Sequence, residues 1–186
     1  DLVDTLSNNF DQAITINKPS AKISYNFKKL KFNFGAGFGY TSFNFTDLTM
    51  AKDYKRNYVN AFPAASLTYT YKANHSVNFS YNGNTAQPTL NQLQPLRISD
   101  DPLNVYLGNQ FLRPSFTHSF NLSHQSFNFL KELWMYQGFN IRSVANSITN
   151  SYIIDASTGK TTTQPINTNG NFSLNFWGGI NYKLKK

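Results

Sequence analysis

An uninterrupted alternation of side chains runs through Leu30–Tyr40, whose sequence is LKFNFGAGFGY. Bulky or apolar residues occupy every second position, and lysine, asparagine or glycine occupies the positions between them. A period of two predicts a β-strand, because successive side chains of a strand point to opposite faces of its sheet. The length of the run also fits a tilted strand that crosses a membrane, which needs roughly 9–11 residues, whereas strands of globular proteins have a mode near 5–6.

Further segments with the same alternation predict an all-β chain of about seven antiparallel strands and no helix with an apolar stripe. The expected strands are residues 21–27, 30–45, 65–72, 76–82, 115–123, 133–154 and 171–184. Residues 1–12 show no pattern, and the alternation shifts near residues 41–42, as a β-bulge would produce. The connections alternate between short and long, and the long ones are expected at 46–61, 83–113 and 155–160. Bacterial outer-membrane barrels have this order of short periplasmic turns and long extracellular loops.

The placement of charge favours a membrane barrel over a soluble one. Only 14% of the residues are charged, against about a quarter in an ordinary soluble domain, and 16% are aromatic. All 9 acidic residues fall outside the apolar parts of the expected strands, whose polar faces consist mainly of Asn, Ser, Thr and Gly. A carboxylate in hydrocarbon costs several kcal/mol, whereas the exposed face of a soluble sheet accepts Asp and Glu freely. A soluble sandwich or lipocalin-like barrel with the same alternation turned inside out remains the alternative.

The net charge of +8 is concentrated at one set of turns, which contain or adjoin Lys28, Lys29, Lys31, Lys72, Lys131, Lys183, Lys185 and Lys186. Those turns would form the periplasmic rim of a barrel. A nucleic-acid groove would combine aromatic and basic side chains on one surface, and in this chain the two types alternate between opposite faces. We therefore expect no nucleic-acid partner. The chain has no cysteine, which excludes disulfides and thiolate metal sites.

The longest connection contains motifs that resemble a known family. These are QPTLNQLQP at 87–95, DPLN at 101–104 and GNQFLRP at 108–114. They resemble TonB-dependent receptors and related outer-membrane β-barrels, in which a Gly-Asn-Pro-x-Leu-Lys-Pro-Glu segment leads into a barrel strand. Gln110 and Ser115 stand where that family usually has Pro and Glu, and Arg113 replaces Lys.

The resemblance implies a barrel of about 22 strands in the outer membrane of a Gram-negative cell, with a separate plug domain, that imports a nutrient using energy from the TonB protein. Residues 1–186 are then expected to be a single segment of the barrel domain, an antiparallel up-and-down transmembrane portion of a larger barrel, with the plug domain outside this chain. The partners that the resemblance implies are outer-membrane lipid, the TonB protein through the plug, an unidentified nutrient and a surface lipoprotein.

Ligand contact is expected in the extracellular loops rather than on the strands. The candidate ligand-binding residues are Gln92, Gln94, Arg97, Asp100, Asp101 and Arg113. We expect no catalytic residues, because His118 and His124 share a face with aromatic residues, while the nearby serines face the other way. No metal or cofactor is expected, since adjacent Asp100 and Asp101 fall short of the 6–8 oxygen ligands that calcium takes. A surface-binding or adhesin-like barrel without transport is the alternative function.

Overall fold

The computed structural model describes residues 10–48, 52–93, 97–101 and 103–183. In these residues the chain forms twelve strands and one short helix, α1 (Leu90–Leu93). The strands are β1 (Phe10–Asn17), β2 (Ser20–Phe27), β3 (Leu30–Asp47), β4 (Lys52–Lys72), β5 (His75–Ala86), β6 (Arg97–Asp101), β7 (Asn104–Leu107), β8 (Ser115–Asn128), β9 (Leu133–Ala145), β10 (Ser147–Asp155), β11 (Lys160–Thr168) and β12 (Asn171–Tyr182).

The main sheet has the order β1-β3-β4-β5-β8-β9-β12, and β2 also pairs with β3. All its ladders are antiparallel. From β3 to β12 the strands of this sheet pair in chain order once the segments between β5 and β8 and between β9 and β12 are left aside. Within the described residues no ladder joins β12 to β1 or β2, so this sheet is open at both edges. The antiparallel up-and-down arrangement is confirmed for this sheet, whose path has the expected seven strand positions, while the described chain has twelve strands in total.

The first position of this sheet is one long strand formed by β1 and β2 together. Both pair with β3 in one register, since Asn17 lies opposite Tyr40 and Ser20 lies opposite Gly37. Pro19 interrupts the strand because proline has no N–H to donate to the ladder. An edge strand tolerates that loss better than a central one. Residues 10–12, which the sequence analysis expected to be irregular, therefore begin a strand.

The first strands are longer than the alternation in the sequence predicted. The predicted connection at 46–61 is wrong, because β3 has 18 residues and β4 has 21, so that only residues 48–51 separate them. The expected membrane strand needs only roughly 9–11 residues, so this hairpin is long enough to extend well beyond a bilayer. Outside hydrocarbon both faces can be polar, and the alternation that reveals a strand is lost while the backbone ladder continues.

The predicted β-bulge near Thr41 is also wrong. The register between β3 and β4 is constant from Leu30 opposite Tyr69 to Asp47 opposite Lys52. What changes at Thr41 is the chemistry of the two faces, since the aromatic positions of β3 move to the other face from there onward. A change of environment at the end of the membrane span produces the same sequence signal as an inserted residue.

The expected strand 133–154 is two strands, β9 and β10, which meet at Asn146, where φ is 50°. Its partner in the hairpin is divided in the same way into β11 and β12, separated by Asn169 and by Gly170 with φ of 88°. β10 and β11 leave the main sheet and form a second sheet of order β10-β11-β7-β6, in which β7 runs parallel to β11. The expected connection 83–113 thus contains the end of β5, helix α1, β6 and β7 rather than loop alone.

Residues of like character align across the whole main sheet. One row is polar in every strand and consists of Ser24, Asn33, Ser66, Ser80, Asn121, Asn140 and Asn175. The next row is mostly apolar and consists of Ile23, Phe34, Ala65, Tyr81, Phe120, Ile141 and Leu174. We call the face with the polar row the inner face and the opposite face the outer face. The predicted alternation of the two faces is confirmed.

Buried apolar side chains lie at one end of the molecule rather than between the faces of the main sheet. Leu93, Val105 and Leu112, from the segment between β5 and β8, are buried, and so is Pro165 of β11. The aromatic and aliphatic residues of the outer face are largely exposed, and Phe176, for example, is 77% exposed. The apolar outer face therefore has no covering layer within the described chain.

Candidate functional site

The segment between β5 and β8 contains all six predicted ligand-binding residues. Gln92 lies in helix α1, where its Oε1 accepts a hydrogen bond from the Thr89 N–H (2.9 Å). The Thr89 hydroxyl oxygen accepts one in return from the Gln92 N–H (3.4 Å). This is the reciprocal arrangement of a capping box, which satisfies amide groups at the start of a helix. The side chain of Gln92 thus stabilises α1 in the described structure.

Asp101 shapes the turn that joins β6 to β7. Its carboxylate accepts hydrogen bonds from the Leu103 N–H (2.9 Å) and from the Asn104 side-chain amide (2.7 Å). The bond from the Leu103 backbone, followed by the bond from Asn104, lowers the pKa of Asp101. Donors that bind the ionised form favour it, so the carboxylate is held charged.

Arg113 is anchored through its backbone, and its side chain is exposed. The Arg113 N–H donates to Oδ1 of Asn167 (2.8 Å), and Nδ2 of Asn167 donates to the Arg113 carbonyl (3.0 Å). The same Nδ2 also donates to the Asn146 carbonyl (2.9 Å). Asn167 of β11 therefore joins the start of β8 to the bend between β9 and β10.

The other three predicted ligand-binding residues are Arg97, Asp100 and Gln94. Arg97 and Asp100 lie in β6, and Gln94 lies outside the described residues. Gln92, Asp101 and Arg113 belong to three different local arrangements: a helix cap, a turn and a strand start. The described contacts do not join these three side chains to one another, and ligand binding by the six residues stays a prediction.

Residues 108–114 connect the segment between β5 and β8 to the second sheet. Nδ2 of Asn109 donates to the Pro165 carbonyl of β11 (3.0 Å), while Oδ1 of Asn109 accepts from the Phe111 N–H (2.9 Å). Leu112 is 3% exposed and belongs to the apolar interior of this region. The asparagine and leucine of the Gly-Asn-x-x-Leu pattern thus have structural roles at the base of the loop.

A surface at the extension of the first hairpin was not predicted from the sequence. Residues 87–90, which follow β5, lie against the inner face of β1, β3 and β4 and border an open cavity of about 220 Å³. The cavity is lined by Ile14, Ile16, Lys18, Thr41, Asn60, Phe62, Thr85, Gln87, Pro88, Thr89 and Leu90. Thr41 is only 2% exposed, and Asn60 donates to its hydroxyl oxygen at 3.5 Å. The sequence signal for this surface is the shift of aromatic residues to the inner face at Thr41. That shift is the pattern from which a bulge was predicted.

The inner face also has an aromatic group at the opposite end of the sheet, formed by Trp134, Tyr136 and Trp177. Tyr136 lies between the two indoles, with ring centroids 5.2 Å from Trp134 and 6.1 Å from Trp177. Gly138 makes this packing possible, because a Cβ there would lie 2.6 Å from the Trp177 ring and 2.7 Å from the Leu122 carbonyl oxygen. These rings interrupt an inner face that is otherwise mostly small and polar.

Comparison with known families decides which environment the two faces meet. The model of the outer membrane protein beta-barrel family matches residues 1–186. The chain belongs to this family. No curated protein matches the chain. The family places the protein in the outer membrane, which confirms the predicted location and the all-β membrane fold and excludes the soluble alternative. The outer face of this barrel protein therefore meets lipid, and the polar inner face lines the lumen.

The lipid-facing histidines of this outer-membrane barrel protein are bonded to tyrosines. The Tyr81 hydroxyl lies 3.1 Å from Nδ1 of His118, and the Tyr71 hydroxyl lies 2.8 Å from Nε2 of His124. His118 also stacks on Phe120, with ring centroids 6.5 Å apart and planes inclined by 6°. These contacts keep the imidazoles among aromatic rings on the outer face, as the parity of β8 predicted.

The described residues contain no helix long and apolar enough to cross a membrane. They also contain no group of three or more His, Cys, Asp or Glu side chains that could hold a metal ion.

Proposed function

We propose that this chain is part of the barrel of a TonB-dependent receptor that imports a nutrient. The observation that supports this best is the position of the segment after β5. Residues 87–90 lie against the inner face of β1, β3 and β4, beyond the membrane-length part of the sheet, and thus at the mouth of the lumen. A segment in that position can contact a solute before it enters the barrel.

The sequence motifs of the same segment agree with this proposal. The Gly-Asn-x-x-Leu-Arg-Pro pattern at 108–114 resembles the one that leads into a barrel strand of TonB-dependent receptors, and β8 begins directly after it at Ser115. In the proposed protein, the strands are the scaffold and the segment between β5 and β8 makes the first contacts with the nutrient. We propose no catalytic role for the strands or for this segment.

The complete receptor would also need parts other than this sheet. A plug domain would fill the lumen, the TonB protein would supply energy through it, and a surface lipoprotein would assist at the extracellular side. These partners are proposed from the family resemblance, as is a closed barrel of about 22 strands.

Energy dependence separates this function from surface binding without transport. Cells with the full-length parent protein, cells without it and cells without the TonB protein would be given radiolabelled ferric chelates, oligosaccharides and short peptides. We expect one class to accumulate only in cells that have both proteins and to stop accumulating after a protonophore collapses the proton gradient. If the parent protein binds a compound at the cell surface equally well with and without the gradient, and no class accumulates, the protein is a surface-binding barrel and the proposal is wrong.

A further inference from the structure

Four basic side chains lie at regular intervals along the inner face of the first three strand positions. Arg56 of β4 is opposite position 43 of β3, Lys22 of β2 is opposite position 35, and Lys31 belongs to β3 itself. The register of β1 and β2 places Lys18 opposite position 39. The four residues are thus at positions 43, 39, 35 and 31 of β3, and four residues of strand correspond to roughly 13 Å. We call this set, Arg56, Lys18, Lys22 and Lys31, the basic row.

Contacts place the basic row on the inner face. The Lys18 ammonium lies over the Phe62 ring, 5.2 Å from its centroid, and Phe62 follows the inner-face residue Asn60 by two positions. Arg56 has the same parity in β4 as these two residues. Lys22 pairs with Gly35, and Lys31 pairs with Asn26. Both lysines therefore lie on the same face as Asn33 of the polar row.

No carboxylate neutralises the basic row within its own part of the sheet. The inner-face positions of β2, of β3 from 31 to 43 and of β4 from 56 to 68 contain no Asp or Glu. The ion pair found among the described residues is Lys183 with Glu132 at a distance of 2.9 Å, in a turn at the other side of the sheet. Arg142 adds a further basic residue to the inner face of β9, where it pairs with Ser119.

The space between Lys18 and Lys22 is open enough for a small anion. A cavity of about 330 Å³ lies there and is lined by Lys18, Pro19, Ser20, Ala21, Lys22, Gly35, Ala36, Gly37, Phe62 and Ala64. Gly35 and Gly37 form part of its floor, where side chains would otherwise fill the space between the lysines. Hydroxyl and ammonium groups thus border a cavity whose remaining walls are small or apolar.

We propose that the basic row binds solutes with carboxylate or phosphate groups and leads them along the lumen wall. A solute that enters past Arg56, at the extracellular end of the row, and is held by Lys18 and Lys22 would find Lys31 next along the same wall. Clefts lined by charge of one sign and by walls of low dielectric constant concentrate the opposite charge. This inference rests on the proposed function, because it assigns a substrate class, anionic solutes, to the proposed import path.

Binding to the purified full-length parent protein tests the basic row directly. The probes are tripolyphosphate and, as a neutral comparison, maltotriose, measured by calorimetry in detergent micelles. The double variant Lys18→Gln, Lys22→Gln removes two members of the row. The matched control Lys28→Gln, Lys29→Gln removes the same charge from a turn outside it. Shifts between heated and unheated samples in gel electrophoresis would show that each variant is folded.

We expect the native protein to bind tripolyphosphate and not maltotriose, and its affinity to fall as salt rises. The row variant should bind about tenfold more weakly, while the control variant should stay within about twofold of the native protein. Equal losses in the two variants, or no binding to the native protein, would overturn the inference. The native protein would fail to bind tripolyphosphate if acidic side chains from outside this sheet already paired with the basic row.

The uptake measurement distinguishes the failure of this inference from failure of the proposed function. If tripolyphosphate binding depends on Lys18 and Lys22 but no compound accumulates in an energy-dependent way, anion binding by the basic row is confirmed and the proposed import function is wrong. If energy-dependent uptake persists unchanged in the row variant and tripolyphosphate binding is also unchanged, import stands and the basic row has no role in it.

Discussion

Asn167 shows how one side chain can stabilise a region built from distant parts of the chain. Its amide exchanges two hydrogen bonds with the Arg113 backbone and donates a third to the Asn146 carbonyl. Removing a partly buried amide leaves backbone groups without their partners, which costs about 1–3 kcal/mol.

We expect Asn167→Ala to destabilise the region around 108–114 by that amount. Chymotrypsin cleavage after Phe111, which is 78% exposed, would report this opening as faster digestion. The control is Asn150→Ala in β10, because the exposed Asn150 side chain forms no hydrogen bond with the described residues. Equal cleavage rates in the two variants would show that Asn167 does not hold the loop.

Asp155 stabilises the turn between β10 and β11 when it is ionised. Its carboxylate accepts bonds from the Ser157 hydroxyl (2.6 Å) and N–H (2.9 Å) and from the Thr158 hydroxyl (2.8 Å). The Ser157 hydroxyl is the largest cause, and together these donors lower the pKa of Asp155 from 3.8 to about 2. A lowered pKa in the folded state means that the stabilisation is present above pH 3.8 and is lost as the pH falls towards 2.

We expect Ser157→Ala to raise the pKa of Asp155 towards 3.8. The measurement is a carboxyl-carbon NMR titration of the protein in detergent micelles, with Ser151→Ala in β10 as the control. An unchanged pKa in the Ser157 variant would rule out the hydroxyl as its main cause.

At the level of the strands, β12 offers two adjacent residues that face opposite environments. Phe176 lies near the middle of the outer face of β12 and is 77% exposed. In a soluble protein, a charged side chain at this position would face water and would be favourable. In a membrane the same position meets hydrocarbon, where a lysine costs about 2–4 kcal/mol near the midplane. Asn175 belongs to the polar row on the lumen side.

Phe176→Lys should therefore reduce folding of the full-length parent protein into liposomes, while Asn175→Lys should have little effect. Fractions folded after urea titration would give the difference in free energy. If Asn175→Lys is the more damaging of the two, the inner and outer faces are assigned the wrong way round.

For the whole molecule, the two ends of the sheet are expected on opposite sides of the outer membrane. Single cysteines at Lys55, Asp101 and Ser157 should react on intact cells with a thiol reagent that does not cross the membrane, because these positions lie beyond the extracellular ends of the strands. Cysteines at Asn74 and Lys131, in the short turns, should react only after the cells are permeabilised. The chain has no cysteine of its own to interfere. Labelling of Asn74 on intact cells as fast as that of Asp101 would mean that the topology is inverted.

The sheet by itself should not be stable in water. Both of its edges are open in the described structure, and its outer face exposes aromatic residues of β2, β3, β4, β5 and β12. Open edges and large apolar patches both promote association. The 186-residue chain without detergent should therefore aggregate or stay unfolded. A monodisperse monomer in light scattering, with a cooperative thermal transition, would contradict this prediction.

The sequence alone determined the strands of the membrane span and the two faces of the sheet. The alternation in residues 30–40 is a local property of the chain, and each residue's face follows from its parity, as the aligned rows of Ser24 and Ile23 show. It also indicated the membrane, because carboxylates are absent from the apolar strands.

Only the tertiary structure decided what happens beyond the membrane. The extension of β3 and β4, the parallel pairing of β7 with β11 and the packing of residues 87–90 on the inner face depend on contacts between distant residues. The roles of Asn109 and Asn167 depend on such contacts too, since each bonds to residues more than fifty positions away. In water both faces of a strand can be polar, so the alternation that identifies strands is lost there. The structure of these parts then depends on the pairing of each strand with its neighbours.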